Sequence, residues 1–426
     1  MKKLLYVVLD GLGDRPIKEL GNKTPLEAAD TPNMDKLVKT GQLGLVHTVK
    51  EGIAPESDVA VISILGYDAK KYYTGRGPLE SFAEGLEVKD GDLAYRVNFA
   101  TKEKGTHNIV DRRVGRNLTT QEATKLASEV NSKVKLKGAT FKFKNTIGHR
   151  GVLVMRREDG LLSSEVTNTD PAYEKEGVFG VAKSTFEKVV QMCEPTEKFT
   201  NSSEAKIAAS LTNDFLEKST AILEKSSINK KRESEGKPIA NLILTRDAGE
   251  KLPQFPNIYD MFKMKVGCFV EMPVEKGIAM LTGMHIVKLP LPTKDLSKDY
   301  ILRAGKVIEV MDDYDALYIH IKGPDEPAHD GRFKDKLESI KLIDEYFFGS
   351  LLPKIDLKDT VFAVTADHST PCELKAHSED PVPLLVSTDG IKPDGFSSFG
   401  EKNAQGGSLG TLIGPELMPL FIRYLK

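Results

Sequence analysis

Apolar and polar positions follow two rhythms along this chain, and the change between them divides it. Residues 4–9 form an unbroken apolar run that stops at Asp10, the pattern of a strand buried on both faces of a parallel sheet. Thr31-Pro32-Asn33 then opens a helix through Met34-Asp35-Lys36-Leu37, with Thr31 placed as N-cap and Pro32 at the first helical position. Ser57-Asp58 precedes a second apolar helical segment, residues 59–65, which ends at Gly66. From about residue 89 the texture changes. Short strand-like runs (DLAYRVNFA, HNIVDRRVGR, ATFKFKN, HRGVLVMRR) alternate with basic loops, and one helix is predicted over residues 121–133. Residues 203–235 predict a single long amphipathic helix whose charged face is solvated. The strand–helix rhythm resumes with ANLILTRDAG, KVGCFVEMP, DALYIHIKG, TVFAVTAD and PVPLLVS.

These elements predict an α/β fold in which a central, mostly parallel sheet is flanked by helices and carries an inserted α+β domain. The expected boundaries are residues 1–88 and 196–426 for a discontinuous core and 89–195 for the insert.

Composition narrows the function classes. The chain has 426 residues, 40% hydrophobic and 29% charged, with a formal net charge of -2, which argues against a general nucleic-acid or acidic-membrane binder and leaves room for a local basic pocket. Cys193, Cys268 and Cys372 are odd in number and far apart, so neither a disulfide framework nor a zinc knuckle is expected and a reducing, cytoplasmic setting is. The start, MKKLLYVVLDGLGDR, has a signal-peptide look, but Asp10 breaks the apolar run too early. No window reaches the roughly 18 apolar residues of a membrane span. A homo-oligomer stays open.

The chemistry-bearing residues gather near the C-terminus. Asp325 and His329, then Asp367 and His368, then His377 form three clusters, in a chain with eight histidines. Each cluster follows an apolar run and so is expected at the carboxyl edge of a sheet, where open α/β folds build their sites. Mixed oxygen and nitrogen ligands in this number point to two divalent cations and phosphoryl or sulfuryl chemistry. Asp10, followed by Gly11 and Gly13, superficially matches a dinucleotide fingerprint, but Pro16 stands where the third glycine belongs. Asp10 either caps the next turn or projects into the site. Ser57 reads as an ordinary N-cap alone and as a nucleophile once metals are near, because a serine hydroxyl needs an activator.

The order Asp10, TPNMDKL, Ser57, Asp325-x-x-x-His329, Asp367-His368, His377 resembles the alkaline phosphatase superfamily. The finer motifs GDRP, TPLEAADTPNMDKL, YYTGRGPLE, RVNFAT, DRRVGR, TNTDP and KGPDEPAHDG resemble the archaeal-type, cofactor-independent phosphoglycerate mutases over essentially the whole chain. That resemblance implies an alkaline-phosphatase-like core with a cap, or transferase, insert. It implies one cation held by Asp10, Ser57, Asp367 and His368, and another by Asp325, His329 and His377. Mn²⁺ is the first choice, with Zn²⁺, Co²⁺ or Mg²⁺ as alternatives. The implied reaction interconverts 3-phosphoglycerate and 2-phosphoglycerate, a small-molecule substrate, through a phosphoserine and without 2,3-bisphosphoglycerate. Arg96, Arg112, Arg150 and Arg246 are the candidate substrate arginines, suited to phosphate and carboxylate by the guanidinium fork. Arg113 and Arg116 divide evenly between that role and solvated surface. Lys276 and Lys322 are candidates for the phosphoryl group, a structural ion pair being the rival role for Lys322, and Asp111 for proton transfer. His107 and His149 are assigned no role. A phosphatase, phosphodiesterase or phosphosugar mutase with the same centre is the alternative, and a non-enzymatic metal-binding protein a more distant one.

Overall fold

A computed structural model describes residues 2–176, 179–183, 185–290, 292–293 and 295–426, and the chain divides into two compact units, residues 1–72 with 255–426 and residues 73–254. Among the described residues the strands are, in chain order, β1 (Lys3–Leu9), β2 (Gly41–His47), β3 (Leu93–Lys102), β4 (Ile109–Asp111), β5 (Ala139–Asn145), β6 (Arg150–Arg157), β7 (Tyr173–Glu176), β8 (Phe179–Ala182), β9 (Leu242–Gly249), β10 (Val266–Phe269), β11 (His285–Ile286), β12 (Ala316–Ile321), β13 (Thr360–Thr365), β14 (Val382–Ser387) and β15 (Gly410–Ile413).

The first unit is built on one sheet in the order β11-β10-β12-β1-β13-β14-β2-β15. Its pairings are parallel except where β14 runs antiparallel to β13 and β2, so the expected mostly parallel α/β sheet is present. β1 lies between β12 and β13, and Leu4 through Leu9 are each at most 1% exposed. That is why the sequence there is continuously apolar rather than alternating. Helix Pro32–Lys39 has Thr31 at its N-cap position, but the Thr31 hydroxyl makes no capping bond and instead reaches Asp35 at 3.4 Å. The free amides of this helix are met from far along the chain. Asp344, in the π-helical turn Ile343–Phe348, accepts from the backbone N–H of Asn33 at 3.1 Å and of Met34 at 2.7 Å.

The second unit is an antiparallel sheet in which β3 pairs with β6, β9 and, at its far end, β4, while β5 pairs with β6. Alternation along β3 sorts its side chains. Leu93, Tyr95, Val97 and Phe99 enter a core with residues of the helices Thr120–Lys133 and Ser203–Leu223. Arg96 and Asn98, one residue out of phase, take the opposite face. Helix Thr120–Lys133 starts where expected, closed by a capping box between Thr119 and Glu122.

Two features differ from the sequence expectation. Residues 203–235 form two helices, Ser203–Leu223 and Ser227–Ser234, because the Ser226 side chain accepts from the N–H of Ile228 and starts the second. The run ANLILTRDAG becomes β9, which pairs with β3 rather than joining the parallel sheet. An apolar run specifies burial, not which sheet it enters. The second unit therefore spans 73–254 rather than 89–195, since helix Arg76–Ala83, β9 and helix Ser203–Leu223 all pack with β3 or its core.

Removing the remote cap should be costly. Asp344→Ala leaves two helix N–H groups without a partner and is expected to lower stability by about 2 kcal/mol. Thr31→Val, which removes a hydroxyl that caps nothing, should cost clearly less. Urea midpoints of the two variants check the ranking.

Candidate metal centre and active site

Because β12, β1 and β13 are adjacent and parallel, their carboxyl ends open on one edge, and the residues that follow them meet there. β1 delivers Asp10, whose N–H still bonds Ile321 of β12 at 3.0 Å. β12 delivers Lys322 and then Asp325, and β13 delivers Asp367 and His368. The two glycines after Asp10 serve close approach rather than a nucleotide. Gly11 has φ +63°, and a Cβ there would fall 2.6 Å from Asp325 Oδ1; one on Gly13 would fall 2.0 Å from Ser369 Oγ.

Asp325 begins the short helix Asp325–His329, so the i,i+4 spacing sets His329 Nε2 3.4 Å from Asp325 Oδ2. His377 comes from the loop after β13, with Nε2 3.6 Å from Asp325 Oδ1 and 3.2 Å from His329 Nε2. His329 Nδ1 lies 3.1 Å from the Lys375 carbonyl and His377 Nδ1 2.9 Å from the Pro55 carbonyl. A carbonyl only accepts, so each Nδ1 carries a proton and each Nε2 is turned into the cluster. Ser57 is the first residue of helix Ser57–Ile64, one position past the N-cap, Glu56. Its hydroxyl is therefore not a cap; it lies 3.1 Å from His368 Nε2.

Burial sets the electrostatics. It pushes the Asp10 carboxyl up to about 7, with Lys322 opposing and Asp367 and Asp325 adding to the rise. Burial acts the same way on Asp367, but His368, His320 and Lys322 overcome it and hold this carboxyl well below the usual range. His368 is lowered to about 4 by burial. His377 is raised to about 10, since Glu56 and Asp325 outweigh its burial. Asp10 Oδ1, Asp367 Oδ2 and His320 Nε2 are buried without a hydrogen-bond partner. Orphaned carboxylate oxygens converging with imidazole nitrogen suit a divalent cation. Among the described residues, two groups have ligand atoms all within 4.8 Å of one another: Asp325, His368 and His377, and Asp10, His320 and Asp367. This grouping sets His368 beside Asp325 and His377 and brings in His320.

Two functional side chains escaped the sequence reading. His320 sits inside the apolar run of β12, its Nε2 3.5 Å from Asp367 Oδ2 and its Nδ1 3.4 Å from Glu275 Oε1. Glu275, on helix Pro273–Thr282, is buried and lowered to about 2: burial works against this, and His320 and Lys322 overcome it. A polar residue within a run otherwise wholly apolar was the available signal for His320. Lys322 bridges Asp10 at 2.9 Å and Glu275 at 2.6 Å, so the ion pair anticipated as its rival role is present. Lys276 is half-buried on the same helix, and among the described residues no hydrogen bond or ion pair ties it to the cluster.

In the second unit, the face of β3 away from its helical core gathers arginines. Arg96 is in register with Arg246 of β9, and Asn98 with Arg150 of β6. Glu80, of helix Arg76–Ala83, lies 2.6 Å from Arg76 Nε and 3.5 Å from Arg96 Nε. Arg246 stacks on Tyr173 at 3.9 Å. Arg96 Nε, Asn98 Oδ1 and Arg246 Nε and Nη1 are buried with no hydrogen-bond partner. Burial and neighbouring Arg76 lower Arg96 to about 10. Arg112 is engaged differently, in a two-pronged bond to buried Asp170 at 2.7 and 2.6 Å. Asp111 Oδ1 accepts from the Arg113 N–H at 2.6 Å. Arg113 is half-buried, while Arg116 and His107 are exposed. His149, lowered to about 4 by burial and then by Arg150, Arg113, Arg116 and Arg246, belongs to this basic surrounding.

The family described as 2,3-bisphosphoglycerate-independent phosphoglycerate mutase is matched over residues 38–229. A protein of that name from Aeropyrum pernix is 42% identical over 418 residues, covering 97% of this chain and 96% of its own. One from Thermococcus kodakarensis is 41% identical over 424 residues, covering 99% and 97%. Among solved structures, a Pyrococcus horikoshii protein is similar with a TM-score of 0.80 at 33% identity, over 100% of this chain and 97% of its own. The cofactor-independent phosphoglycerate mutase from Thermoplasma acidophilum is similar with a TM-score of 0.65 at 31% identity, over 100% of both chains. With relatives this similar along nearly its full length, the chain belongs to the 2,3-bisphosphoglycerate-independent phosphoglycerate mutase family.

Proposed function

We propose that the protein interconverts 3-phosphoglycerate and 2-phosphoglycerate, the isomerisation used in glycolysis and gluconeogenesis, through a phosphoserine at Ser57 and without 2,3-bisphosphoglycerate. The observation that carries the Ser57 assignment is its hydroxyl, 3.1 Å from His368 Nε2 beside a cluster of buried carboxylates and imidazoles. Asp10, Ser57, Asp367 and His368 would hold one divalent cation and Asp325, His329 and His377 another, Mn²⁺ being the first choice. His320 and Glu275 support the first set from behind. Cations there would lower the pKa of the serine hydroxyl and neutralise phosphoryl charge.

Ser57 Oγ attacks the phosphorus in line. The Ser57 hydroxyl gives up its proton as the Oγ–P bond forms and the substrate's O–P bond breaks, and the departing glycerate oxygen takes up a proton in its place. Glycerate is retained and reoriented, and its other hydroxyl loses a proton and recovers the phosphoryl group from Ser57. Asp111 is the proposed proton shuttle. Arg96, Arg150 and Arg246 are proposed to hold the anionic groups of the substrate, a role supported for Arg96 and Arg246 by buried guanidinium nitrogens that make no hydrogen bond, their acidic neighbours Glu80 and Asp247 lying at 3.5 and 3.7 Å. Arg112, a candidate for the same role, has its guanidinium fork engaged by Asp170. The Lys322 ammonium lies among the carboxylates as their counter-charge, and it is the side chain we propose for the phosphoryl group. Lys276 has less support.

Four outcomes test this reading. Incubation with Mn²⁺ and 3-phosphoglycerate should yield 2-phosphoglycerate; free phosphate alone would identify a phosphatase instead. Ser57→Ala should lower turnover at least about 10³-fold with the fold intact by circular dichroism. Arg246→Lys, which keeps charge but loses the planar fork, should raise KM about tenfold or more. Metal binding should release protons. His377, raised to about 10, is protonated near neutrality without metal, and a cation must displace that proton; Asp325 shifts His329 in the same direction. Mn²⁺ affinity should therefore climb as pH rises from 6 towards 9, roughly tenfold per unit for each proton displaced. Calorimetry in buffers of different ionisation enthalpy reads the released protons, and a heat independent of buffer would contradict the assignment.

A further inference from the structure

Of the three imidazoles proposed as cation ligands, two are oriented by backbone carbonyls. His368 is held differently. Its Nδ1 lies 3.0 Å from Thr370 Oγ1, and the same hydroxyl donates to Asp325 Oδ1 at 2.8 Å. Thr370 is fully buried, so no solvent competes for either bond. A hydroxyl has one proton, and here it is committed to a carboxylate. The hydroxyl oxygen can then only accept from His368, which fixes the imidazole proton on Nδ1. The ring's Nε2 is left as a lone pair directed at Ser57 Oγ, 3.1 Å away, with Asp367 Oδ2 at 3.3 Å and Asp10 Oδ1 at 3.5 Å.

We propose that Thr370 is a positioning residue that sets the His368 tautomer and, through one hydroxyl, locks together a side chain from each of the two proposed cation sites. The inference rests on the two-cation reading given above. His368 belongs to one set and Asp325 to the other, so the geometry of each set depends on the other through this hydroxyl. His329 and His377 draw their orientation from main-chain oxygens that no substitution removes. His368 is therefore the ligand whose orientation can be deleted separately. The backbone of Thr370 has its own anchors: its N–H bonds the Gly13 carbonyl at 3.0 Å, and its carbonyl accepts from Lys336 Nζ at 3.0 Å. A side-chain change there leaves those anchors in place.

The test uses the full-length protein stripped of metal and titrated with Mn²⁺. Thr370→Val, which keeps the shape and removes the hydroxyl, should weaken binding about 10- to 100-fold. Thr370→Ser should restore affinity to within about threefold of the wild type, since it returns the hydroxyl. Wild-type affinity in Thr370→Val overturns the proposal. Failure of Thr370→Ser to recover binding overturns it too, because the loss would then be one of packing. The wild-type protein supplies a readout that needs no variant: nitrogen-15 spectra of metal-free protein should find the His368 proton on Nδ1. A proton on Nε2 overturns the tautomer assignment even if Thr370→Val cannot be folded. A wild type that binds no Mn²⁺ overturns the two-cation reading and this proposal together, whereas normal wild-type binding with an unaffected Thr370→Val removes the proposal alone.

Discussion

Like charges gathered out of water repel, and the first unit is organised around that problem. Asp10, Glu275 and Asp367 are buried, and Asp325 joins them at the same sheet edge. Unpaired, each would cost several kcal/mol or be forced to take up a proton. Lys322 answers part of this by bridging Asp10 and Glu275, and His320 and His377 answer more of it. The strands deliver these groups with little freedom to separate, because β12, β1 and β13 are paired along nearly their whole lengths. The sheet thus enforces a concentration of negative charge that the sequence would not tolerate elsewhere. Such enforced crowding is how a fold keeps a cation site ready.

How much of this was legible depends on the range of the interaction. Asp10, Asp325 and Asp367 could be found because a buried parallel strand writes itself as an apolar run and a carboxylate marks its end. The α/β class followed from the same rhythm. His320 was hidden within such a run, and Glu275 stood beside the more conspicuous Lys276. The cap on helix Pro32–Lys39 was illegible for a different reason. Thr31 occupies the right place, yet the acceptor is Asp344, some 310 residues away, and no local pattern carries that distance. The extent of the second unit was misjudged because burial was readable in ANLILTRDAG while its partner strand was not.

The arginine face of β3 follows the same logic in the opposite sign. Period-2 alternation places Arg96 and Asn98 together on the face away from the helical core, and Arg246 and Arg150 arrive by register from neighbouring strands. Guanidinium groups buried without acceptors do not stabilise a fold. Glu80 and Tyr173 limit that cost by occupying one side of Arg96 and Arg246. The donors left over are the ones we propose for an anionic substrate. The two units divide the chemistry by charge: carboxylates and imidazoles in one, guanidinium groups in the other.

The central position of β1 bears on how the polypeptide is made. Both of its neighbours, β12 and β13, begin beyond residue 315, so β1 leaves the ribosome with no partner until Ala316 and the residues after it have been made. Residues 73–254 are contiguous and complete long before then. During synthesis an apolar segment, Lys3–Leu9, must therefore wait unpaired while a later portion of the chain finishes folding. Long-range pairing of this kind is slow and leaves strand edges open to aggregation. The lysines at positions 2 and 3 place charge at the start of that waiting strand, where it opposes premature pairing with other chains.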